Sequence, residues 1–457
     1  MIDALERIVD VAGLLTGTDI GPRYLNARGH GVAGTPLCVL RPKSTAEVSE
    51  ILKLCHARGQ AIVPQGGMSG LVGGGVPLGG EVVLSLERMI KIEEFDADGR
   101  TLTVQAGVIL QTAHEYCEAR GFMLPLDLGA RGSATMGGVI STNAGGVRVI
   151  RYGMMRESVL GLEVVLADGT IISSMNKMLK NNAGYDLKHM FIGSEGTLGL
   201  VTRAVCRLRA KPKSVNTAFA GIDKFDDVVA FLGHLESTLG GELGSFEVMW
   251  SSYDQFVRER CPSLRPPLNA GRGFYVLVET LGNDPSADVA KLESILAESM
   301  EKGLVADAAV AQSEQQRAAF WAIRENAGEG FRTLGPICSY DVSMPIRSMG
   351  QFGEHITQSI STAYPGATTL VLGHMGDGNL HVVAAVGLGT PAARKQVNDI
   401  VYGVIRDLGG SVSAEHGIGT EKKDYLSWSR TPEEIALMRT LKRALDPKGI
   451  LNPGKVL

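Results

Sequence analysis

Two compact histidine motifs stand in the C-terminal half of the sequence. The first is GHMGDGNLH at 373–381, and the second is AEHGIG at 414–419. Imidazole nitrogens and carboxylate oxygens bind divalent transition metals, and glycines between them let the backbone turn so that the ligands converge. His374, His381 and Glu415 supply three such ligands and would leave coordination positions open, as a catalytic metal requires. The alternative is that these histidines cap turns or fill gaps in a core.

Glycine clusters in the N-terminal half in a way that suggests backbone held close to a ligand. The sequence has 58 glycines among 457 residues, roughly twice the usual share. Many of them fall in residues 65–75, 129–146 and 193–199. Consecutive backbone N–H groups in such loops can hold phosphate, because no side chain blocks the approach. No P-loop run is present, and the acidic residue of the dinucleotide-binding fingerprint is missing. For one loop alone, a structural turn is the simpler interpretation.

The patterns around these motifs predict a strand–helix–strand unit that delivers the first glycine loop. Residues 37–40 and 61–64 have the composition of short strands. Ser44 and Glu47 have the capping-box spacing of a helix start between those strands. Further along the chain, a DG pair at 168–169 predicts the tight turn of a hairpin.

From about residue 214 the sequence changes to strand patterns separated by long helical patterns. Helical periodicity is found near residues 223–240, 286–302, 314–330, 387–408 and 432–445. Alternating segments between them, such as 274–279, predict an antiparallel sheet with helices. The expected fold class is therefore α+β.

Length and composition exclude several classes of protein. A chain of 457 residues predicts two or three domains, and its net charge of −4 gives no reason to expect nucleic-acid binding. No apolar run is long enough to span a membrane, and residues 1–10 lack the pattern of a signal peptide, so we expect a cytoplasmic protein without a transmembrane segment. The six cysteines form no CxxC pair, which argues against a disulfide framework, a cysteine-rich zinc site and an iron–sulfur cluster.

The glycine segments resemble the FAD-binding domain of the vanillyl-alcohol oxidase superfamily. The motifs that carry the resemblance are PQGGMSG at 64–70, TNAGG at 142–146, GLEVVLADG at 161–169, GYDL at 184–187 and FIGSEGTLG at 191–199. Nearly the whole chain is similar to the FAD-dependent D-2-hydroxyacid dehydrogenases of this superfamily. That group includes D-2-hydroxyglutarate dehydrogenases, D-lactate dehydrogenases and the FAD subunits of glycolate oxidase.

The resemblance implies a particular division of the chain. A helical lead at 1–33 precedes a two-subdomain FAD-binding domain of the PCMH type at 34–213. An α+β substrate (cap) domain with an antiparallel sheet follows at 214–410. A C-terminal helical segment at 411–457 is expected to complete the active site and to pack on the FAD-binding domain.

The resemblance also implies where FAD binds. Its pyrophosphate is expected on residues 65–71 and 133–146, with the adenine end near Val201. The implied cofactor contacts are Pro64, Gln65, Gly66, Gly67, Met68, Ser69, Gly70, Leu71, Ser133, Gly137, Gly138, Asn143, Gly145, Gly146, Val201 and Asn452. Some relatives attach FAD through a histidine in the first loop. Met68 and Ser69 stand there in this chain, so we expect non-covalent FAD.

For the histidine motifs, the resemblance implies that His374, His381 and Glu415 bind one zinc, manganese or iron ion. His416 is implied as the catalytic base and as a substrate contact. A 2-hydroxy acid would chelate the metal, which lowers the pKa of its hydroxyl. His416 would then remove the proton, and the C2 hydride would pass to flavin N5. Arg324 by itself suggests a surface ion pair, but the resemblance makes it the clamp on the substrate carboxylate.

Three positions depart from the pattern of D-2-hydroxyglutarate dehydrogenases. Gly328 replaces a threonine, Ser339 a lysine and Val383 an asparagine among the residues that hold the distal carboxylate. With Ser339 and Val383 as substrate contacts, we expect a D-lactate-like or other short substrate, and D-2-hydroxyglutarate is the alternative. Arg332, expected on the same helical face as Arg324, is a candidate for binding a distal charge, although a solvated side chain is the preferred interpretation.

Other readings of the same motifs stay open. A metal-dependent hydrolase would use the histidine motif but would leave the glycine loops unexplained. A non-catalytic FAD-binding subunit of an electron-transfer complex would leave His416 unexplained. For the dehydrogenase, the electron acceptor is a quinone, a cytochrome or an electron-transfer flavoprotein, and such an acceptor would place the protein peripherally at a membrane. The resemblance implies a homodimer.

Overall fold

The computed structural model describes residues 1–26 and 34–457, which form two compact units. Unit 1 consists of Met1–Gly145, Tyr152–Lys211 and Glu415–Leu457, and unit 2 of Gly146–Arg151 and Pro212–Ala414. The units therefore divide two residues before the predicted boundary after residue 213, and four residues after the predicted start of the C-terminal segment at 411. Residues 27–33 of the predicted N-terminal lead lie outside the described residues.

Helices occur in both units. In chain order they are α1 (Ile2–Val9), α2 (Thr45–Arg58), α3 (Leu110–Glu118), α4 (Met136–Ser141), α5 (Val149–Tyr152), α6 (Met155–Ser158), α7 (Lys188–Phe191), α8 (Phe225–Leu239), α9 (Ser251–Arg260), α10 (Pro285–Glu301), α11 (Glu314–Glu325), α12 (Gly328–Phe331), α13 (Met349–Ala363), α14 (Pro391–Asp407) and α15 (Pro432–Leu445). In the part of the chain that the structure describes, none of them has the length and apolarity that crossing a membrane requires.

The strands form four sheets. In chain order they are β1 (Leu14–Leu15), β2 (Cys38–Leu40), β3 (Ile62–Gln65), β4 (Val82–Ser85), β5 (Ile92–Asp96), β6 (Thr101–Gln105), β7 (Phe122–Met123), β8 (Val159–Val165), β9 (Ile171–Ser174), β10 (Leu200–Arg207), β11 (Arg209–Ala210), β12 (Ser214–Ile222), β13 (Leu243–Trp250), β14 (Phe274–Gly282), β15 (Asp307–Val310), β16 (Cys338–Ser343), β17 (Thr368–His374) and β18 (Asn379–Ala385). Their orders are β1-β2-β4-β3, β5-β6-β10-β8-β9, β11-β7 and β15-β12-β14-β13-β17-β18-β16.

In unit 1, the predicted strand–helix–strand unit is β2–α2–β3. The Ser44 side chain accepts the backbone N–H of Glu47 at 3.2 Å and caps α2, which ends at Gly59 in the left-handed conformation. Strands β2 and β3 both pair in parallel with β4. Because such strands are buried on both faces, they are short and almost wholly apolar. The predicted hairpin is β8–β9 in the antiparallel five-stranded sheet, where Gly169 has a φ of 85°.

Unit 2 is built on the seven-stranded sheet, in which every pair is antiparallel. Helices α9 and α11 cover one face, where Tyr253 and Ile323 join an apolar cluster with Leu277 of the sheet. Helix α8 lies on the other face, where Phe231 meets Phe246 with ring centroids 5.9 Å apart. The predicted α+β fold with an antiparallel sheet is confirmed.

One helical prediction is wrong in detail. The pattern at 314–330 is not one helix, because α11 ends at Glu325 and α12 begins at Gly328. Asn326 leaves the helical conformation with a φ of −101°, as residues of low helix propensity do at helix ends. Arg332 therefore does not share a helical face with Arg324, and the argument that it reaches toward the same ligand loses its basis.

Candidate active site

Hydrogen bonds from two side-chain amides hold the conformation of the first glycine loop. Strand β3 ends at Gln65, whose Nε2 donates to the carbonyls of Gly75 and Tyr24, each at 2.8 Å. Asn452 Nδ2 donates to the carbonyl of Gly74 at 3.0 Å. Two residues predicted as FAD contacts therefore fix the shape of the loop through its backbone carbonyls.

The structure brings the two predicted FAD segments together. A Cβ atom on Gly67 would lie 1.7 Å from the carbonyl oxygen of Ser133, and one on Gly66 would lie 2.4 Å from Thr135 Oγ1. Neither neighbouring atom can move freely. The Ser133 oxygen belongs to the backbone, and the Thr135 hydroxyl caps α4 by accepting the N–H of Gly138. The glycines thus allow an approach that no other residue type would permit.

The remaining predicted FAD contacts lie in several elements of the chain. Pro64 lies in β3, Met68, Ser69, Gly70 and Leu71 in the first loop, Gly137 and Gly138 in α4, Asn143, Gly145 and Gly146 after it, and Val201 in β10. Met68 and Asn143 have positive φ angles of 52° and 49°. At Gly137 close packing by itself explains the glycine, since a Cβ there would lie 2.6 Å from that of Ala106.

The donor and acceptor chemistry of this region fits FAD. Gln65 Oε1 and Asn452 Oδ1 are buried and have no hydrogen-bond partner among the described residues. A buried acceptor without a donor is costly, and FAD carries hydroxyl and ring N–H groups that can satisfy such atoms. Together with the glycine backbone, these two acceptors form a set that a dinucleotide cofactor can use.

In unit 2, the first histidine motif is a hairpin. His374 ends β17, a turn at Met375–Asp377 follows, and Gly378 with a φ of 88° leads into β18, which carries His381. The two imidazole rings have centroids 5.2 Å apart at an interplanar angle of 84°. The glycines therefore do what their spacing predicts, since they bring both predicted metal ligands to one face of the sheet.

A buried glutamate joins the predicted metal ligand to the predicted substrate clamp. Glu247 lies directly opposite His374 in the β13–β17 pair. Its Oε1 is 2.6 Å from His374 Nδ1, and its Oε2 accepts from Arg324 Nε at 2.8 Å. The side chain of Glu247 is 1% exposed and that of Arg324 is 11% exposed. Arg324 is thus in a buried ion pair and not in the surface pair that its position in a helical pattern suggests.

The charge state of Glu247 determines which His374 nitrogen can bind a metal. Burial by itself raises the pKa of the Glu247 carboxyl, but His374 and Arg324 outweigh burial and hold the pKa below its ordinary value. An ionised carboxylate only accepts hydrogen bonds, so Nδ1 of His374 carries a proton, and in the neutral imidazole it is Nε2 that has the lone pair for a metal. Arg324 Nη2 lies 3.4 Å from this Nε2. A carboxylate behind a ligating imidazole is a common feature of metal sites.

Glu247 was not among the residues that the sequence analysis selected. It stands in the strand sequence LGSFEVMW, where a charged residue interrupts an apolar run. Such residues are rarely buried unless they are paired, which is the signal that points to a functional position. The same signal marks Glu279 in β14, which is 4% exposed and accepts from Trp321 Nε1 of α11 at 2.8 Å. Two sheet carboxylates therefore hold the helix that carries Arg324.

The predicted substrate contacts Ser339 and Val383 are paired directly in the β16–β18 ladder. Val383 is 5% exposed within the apolar cluster, whereas Ser339 is exposed. Gly328 is exposed at the start of α12. None of these three side chains carries a positive charge that could form an ion pair with a carboxylate.

The second motif begins where the chain passes from one unit to the other. The N–H of Ala414 donates to Asp341 Oδ2 at 3.2 Å, and Asp341 is paired with His381 in the β16–β18 ladder. Glu415 and His416 follow in the chain as half-buried residues of unit 1. Beyond them, residues 417–419 form an irregular loop.

Comparison with known protein families defines the class of this chain. Residues 36–174 match the "FAD binding domain" and residues 211–456 match "FAD linked oxidases, C-terminal domain". Among solved structures, 4-ethylphenol oxidase from Gulosibacter chungangensis is similar with a TM-score of 0.76 at 20% identity, over 100% of this chain and 96% of that one. p-Cresol methylhydroxylase gives a TM-score of 0.74 at 16% identity with the same coverage. The chain is an FAD-linked oxidoreductase with the predicted PCMH-type fold.

Proteins with similar sequences define the family more closely. The chain is 44% identical over 425 residues to a probable mitochondrial D-2-hydroxyglutarate dehydrogenase of Oryza sativa subsp. indica, covering 93% of this chain and 76% of the relative. It is 40% identical over 459 residues to the mitochondrial D-2-hydroxyglutarate dehydrogenase of Bos taurus, covering 99% and 82%. A putative mitochondrial D-lactate dehydrogenase of Schizosaccharomyces pombe is 38% identical over 465 residues, covering 100% and 87%. The chain belongs to the D-2-hydroxyglutarate dehydrogenase family, and it is an FAD-dependent D-2-hydroxyacid dehydrogenase.

The close contact between the glycine loops predicts that a methyl group added at Gly67 weakens FAD binding. Gly67→Ala would place Cβ against the Ser133 carbonyl and force the two loops apart, so we expect at least about a tenfold loss of FAD affinity, a cost of ~1.4 kcal/mol. Titration of the apoprotein with FAD measures it. Gly21→Ala is the control, because a Cβ there meets nothing within 4 Å. Equal affinities for both variants would contradict the assignment of these loops.

The buried pairing of Glu247 predicts a large stability difference between two ion pairs. Glu247→Ala leaves Arg324 buried without its carboxylate, and we expect a loss of about 3 kcal/mol in the free energy of unfolding. Asp254→Ala is the matched control in unit 2, where Arg258 is 27% exposed and can turn to water. Its loss should be about 1 kcal/mol. Urea denaturation distinguishes these values, and similar losses would mean that Glu247 is not the partner that Arg324 requires.

Proposed function

We propose that the protein oxidises a D-2-hydroxy acid to the 2-oxo acid, with D-2-hydroxyglutarate as its principal substrate. The observation that supports this proposal best is the Glu247 carboxylate, which holds His374 and Arg324 side by side. A metal ligand set and a cation next to each other match a 2-hydroxy carboxylate, because its hydroxyl and carboxylate are on adjacent carbons. The identities of 44% and 40% to D-2-hydroxyglutarate dehydrogenases favour the five-carbon diacid.

The proposed metal ligands are His374, His381 and Glu415, with zinc, manganese or iron as the ion. Two neutral imidazoles and one carboxylate form a donor set that suits these metals and leaves positions for substrate. When bound, the metal supplies Lewis-acid polarisation of the substrate hydroxyl, and FAD, which we propose is bound without a covalent link, accepts the hydride. The lone pair that the Glu247 contact leaves on His374 Nε2 supports this ligand set.

The proposed roles of the other residues follow from their chemistry. Arg324 binds the substrate carboxylate through its terminal nitrogens, because its Nε already donates to Glu247. His416 receives the proton of the C2 hydroxyl on its imidazole, the side chain that most often serves as a general base in enzymes. Holding the carboxylate and taking the proton orient the C2 hydrogen toward the flavin.

A D-lactate-like substrate is the second candidate. It is favoured by Val383, which lies in the apolar cluster, and by Ser339, which carries no charge for a distal carboxylate. The similarity to the Schizosaccharomyces pombe protein, named as a putative D-lactate dehydrogenase, is consistent with this choice. The electron acceptor, the homodimer and the cytoplasmic location stay predictions, and the relatives named above carry the word mitochondrial in their names.

A substrate panel distinguishes the two candidates. We expect anaerobic flavin reduction by D-2-hydroxyglutarate to exceed reduction by D-lactate, D-2-hydroxybutyrate and D-malate by at least about tenfold in kcat/KM, a difference of ~1.4 kcal/mol in transition-state binding. Stopped-flow absorbance of the flavin provides the measurement. A tenfold preference for D-lactate would establish the second candidate. Absence of reduction by every member of the panel would contradict the proposed reaction.

Metal removal tests the role of the histidine motif. After treatment with a chelator, verified by elemental analysis, we expect flavin reduction by substrate to slow by about 100-fold or more, because the hydroxyl pKa is no longer lowered. Addition of zinc or manganese should restore the rate, whereas His381→Ala should lose metal and not recover. Reduction by dithionite serves as the control and should not change. An undiminished rate in the verified metal-free protein would exclude metal-assisted deprotonation.

A further inference from the structure

The loop that follows His416 has no regular secondary structure to define its conformation. Gly417 and Gly419 have φ angles of 83° and 51°, so two residues of this loop have the left-handed backbone conformation that favours glycine. Its far end is tied by the N–H of Thr420, which donates to the carbonyl of Val72 at 2.9 Å, and by the carbonyl of Gly419, which accepts from Val456. The near end, next to His416, is contacted by a residue of a distant segment.

Glu195 of the FIGSEGTLG motif makes that contact. Its Oε1 accepts the backbone N–H of Ile418 at 2.7 Å, and its Oε2 accepts that of Gly419 at 2.9 Å. A Cβ on Gly417 would lie 2.7 Å from Oε1, so the carboxylate also packs against the residue that follows His416. Both oxygens of a buried carboxylate are therefore used on one loop.

Glu195 is itself rigidly placed by its backbone. Its N–H donates to the carbonyl of Ser141 at 2.8 Å, and its carbonyl accepts from Asn452 Nδ2 at 2.8 Å. Asn452 also donates to Gly74 of the first glycine loop. The side chain and the backbone of Glu195 thus bind different segments of the chain. The backbone belongs to the FAD-binding region, and the side chain holds the loop beside His416.

We propose that Glu195 is the positioning residue of His416, because its buried carboxylate fixes the N–H groups of Ile418 and Gly419, two and three residues after the base in the chain. The inference rests on the proposed function of His416. A charge-assisted pair of hydrogen bonds to consecutive amides permits one orientation of the peptide planes. Small displacements of a base cost catalysis much more than they cost folding. Glu195 does not contact the reacting atoms in this proposal and acts through the backbone.

The test uses the holoenzyme with Glu195→Gln, which keeps the volume but turns one acceptor into a donor facing an N–H. We expect about a 10- to 100-fold slower flavin reduction by substrate, with little change in KM and with full FAD content, because the backbone contacts remain. Glu163→Gln is the matched control. Glu163 is equally buried in unit 1, but its partners Thr45, Ser173, Thr202 and Arg203 are remote in sequence from the C-terminal segment.

A double-mutant cycle with His416→Ala separates positioning from a structural effect. If Glu195 acts through His416, Glu195→Gln should have no further effect on flavin reduction in the His416→Ala background. Losses that multiply would overturn the proposal, as would a normal rate in Glu195→Gln while His416→Ala is slow. A normal rate in His416→Ala would refute the proposed base itself, which is a different result.

Gly417→Ala approaches the same contact from the loop side. It introduces the Cβ that meets Glu195 Oε1 and strains a backbone with positive φ. We expect the same loss of rate with retained FAD, so the proposal remains testable if Glu195→Gln does not fold. An unchanged rate in Gly417→Ala, with the folded state verified by its flavin spectrum, would contradict the proposal.

Discussion

A carboxylate removed from water must be matched by donors in its surroundings, and this requirement organises the candidate site. In unit 2, Glu247 meets it with His374 from a neighbouring strand and Arg324 from a covering helix. The same contacts that neutralise the buried charge place an imidazole and a guanidinium next to each other. Glu279 likewise accepts a hydrogen bond from Trp321, so two buried carboxylates of the sheet bind side chains of helix α11.

Unit 1 satisfies the same requirement with backbone N–H groups. Glu195 accepts from Ile418 and Gly419, and burial holds the pKa of its carboxyl above the ordinary value although these N–H groups and Lys422 act in the opposite direction. Asp446 at the C-terminal turn is another case, since it accepts from the N–H groups of Ile450 and Leu451. Irregular loops thereby obtain defined conformations without helix or sheet hydrogen bonds.

The substrate question shows how overall similarity and single positions can point in different directions. The relatives favour D-2-hydroxyglutarate, yet Ser339 and Val383 carry no charge for its second carboxylate. Both side chains belong to one cross-strand pair, so a change at one position affects the surroundings of the other. The location of Arg332 beyond the end of α11 removes the compensation that the helical pattern suggested.

The sequence by itself determined the class of the protein, the FAD-binding fold and the helix and strand order around the glycine loops. Those features depend on local spacing, such as the Ser44 cap before α2 and the glycines between His374 and His381. Only the tertiary structure decided that Glu247 lies opposite His374 and that Glu195 supports the loop after His416. These partners are 127 and 223 residues apart in the chain. Strand order and long-range loop contacts bring them together, and no local pattern encodes which buried carboxylate meets which donor.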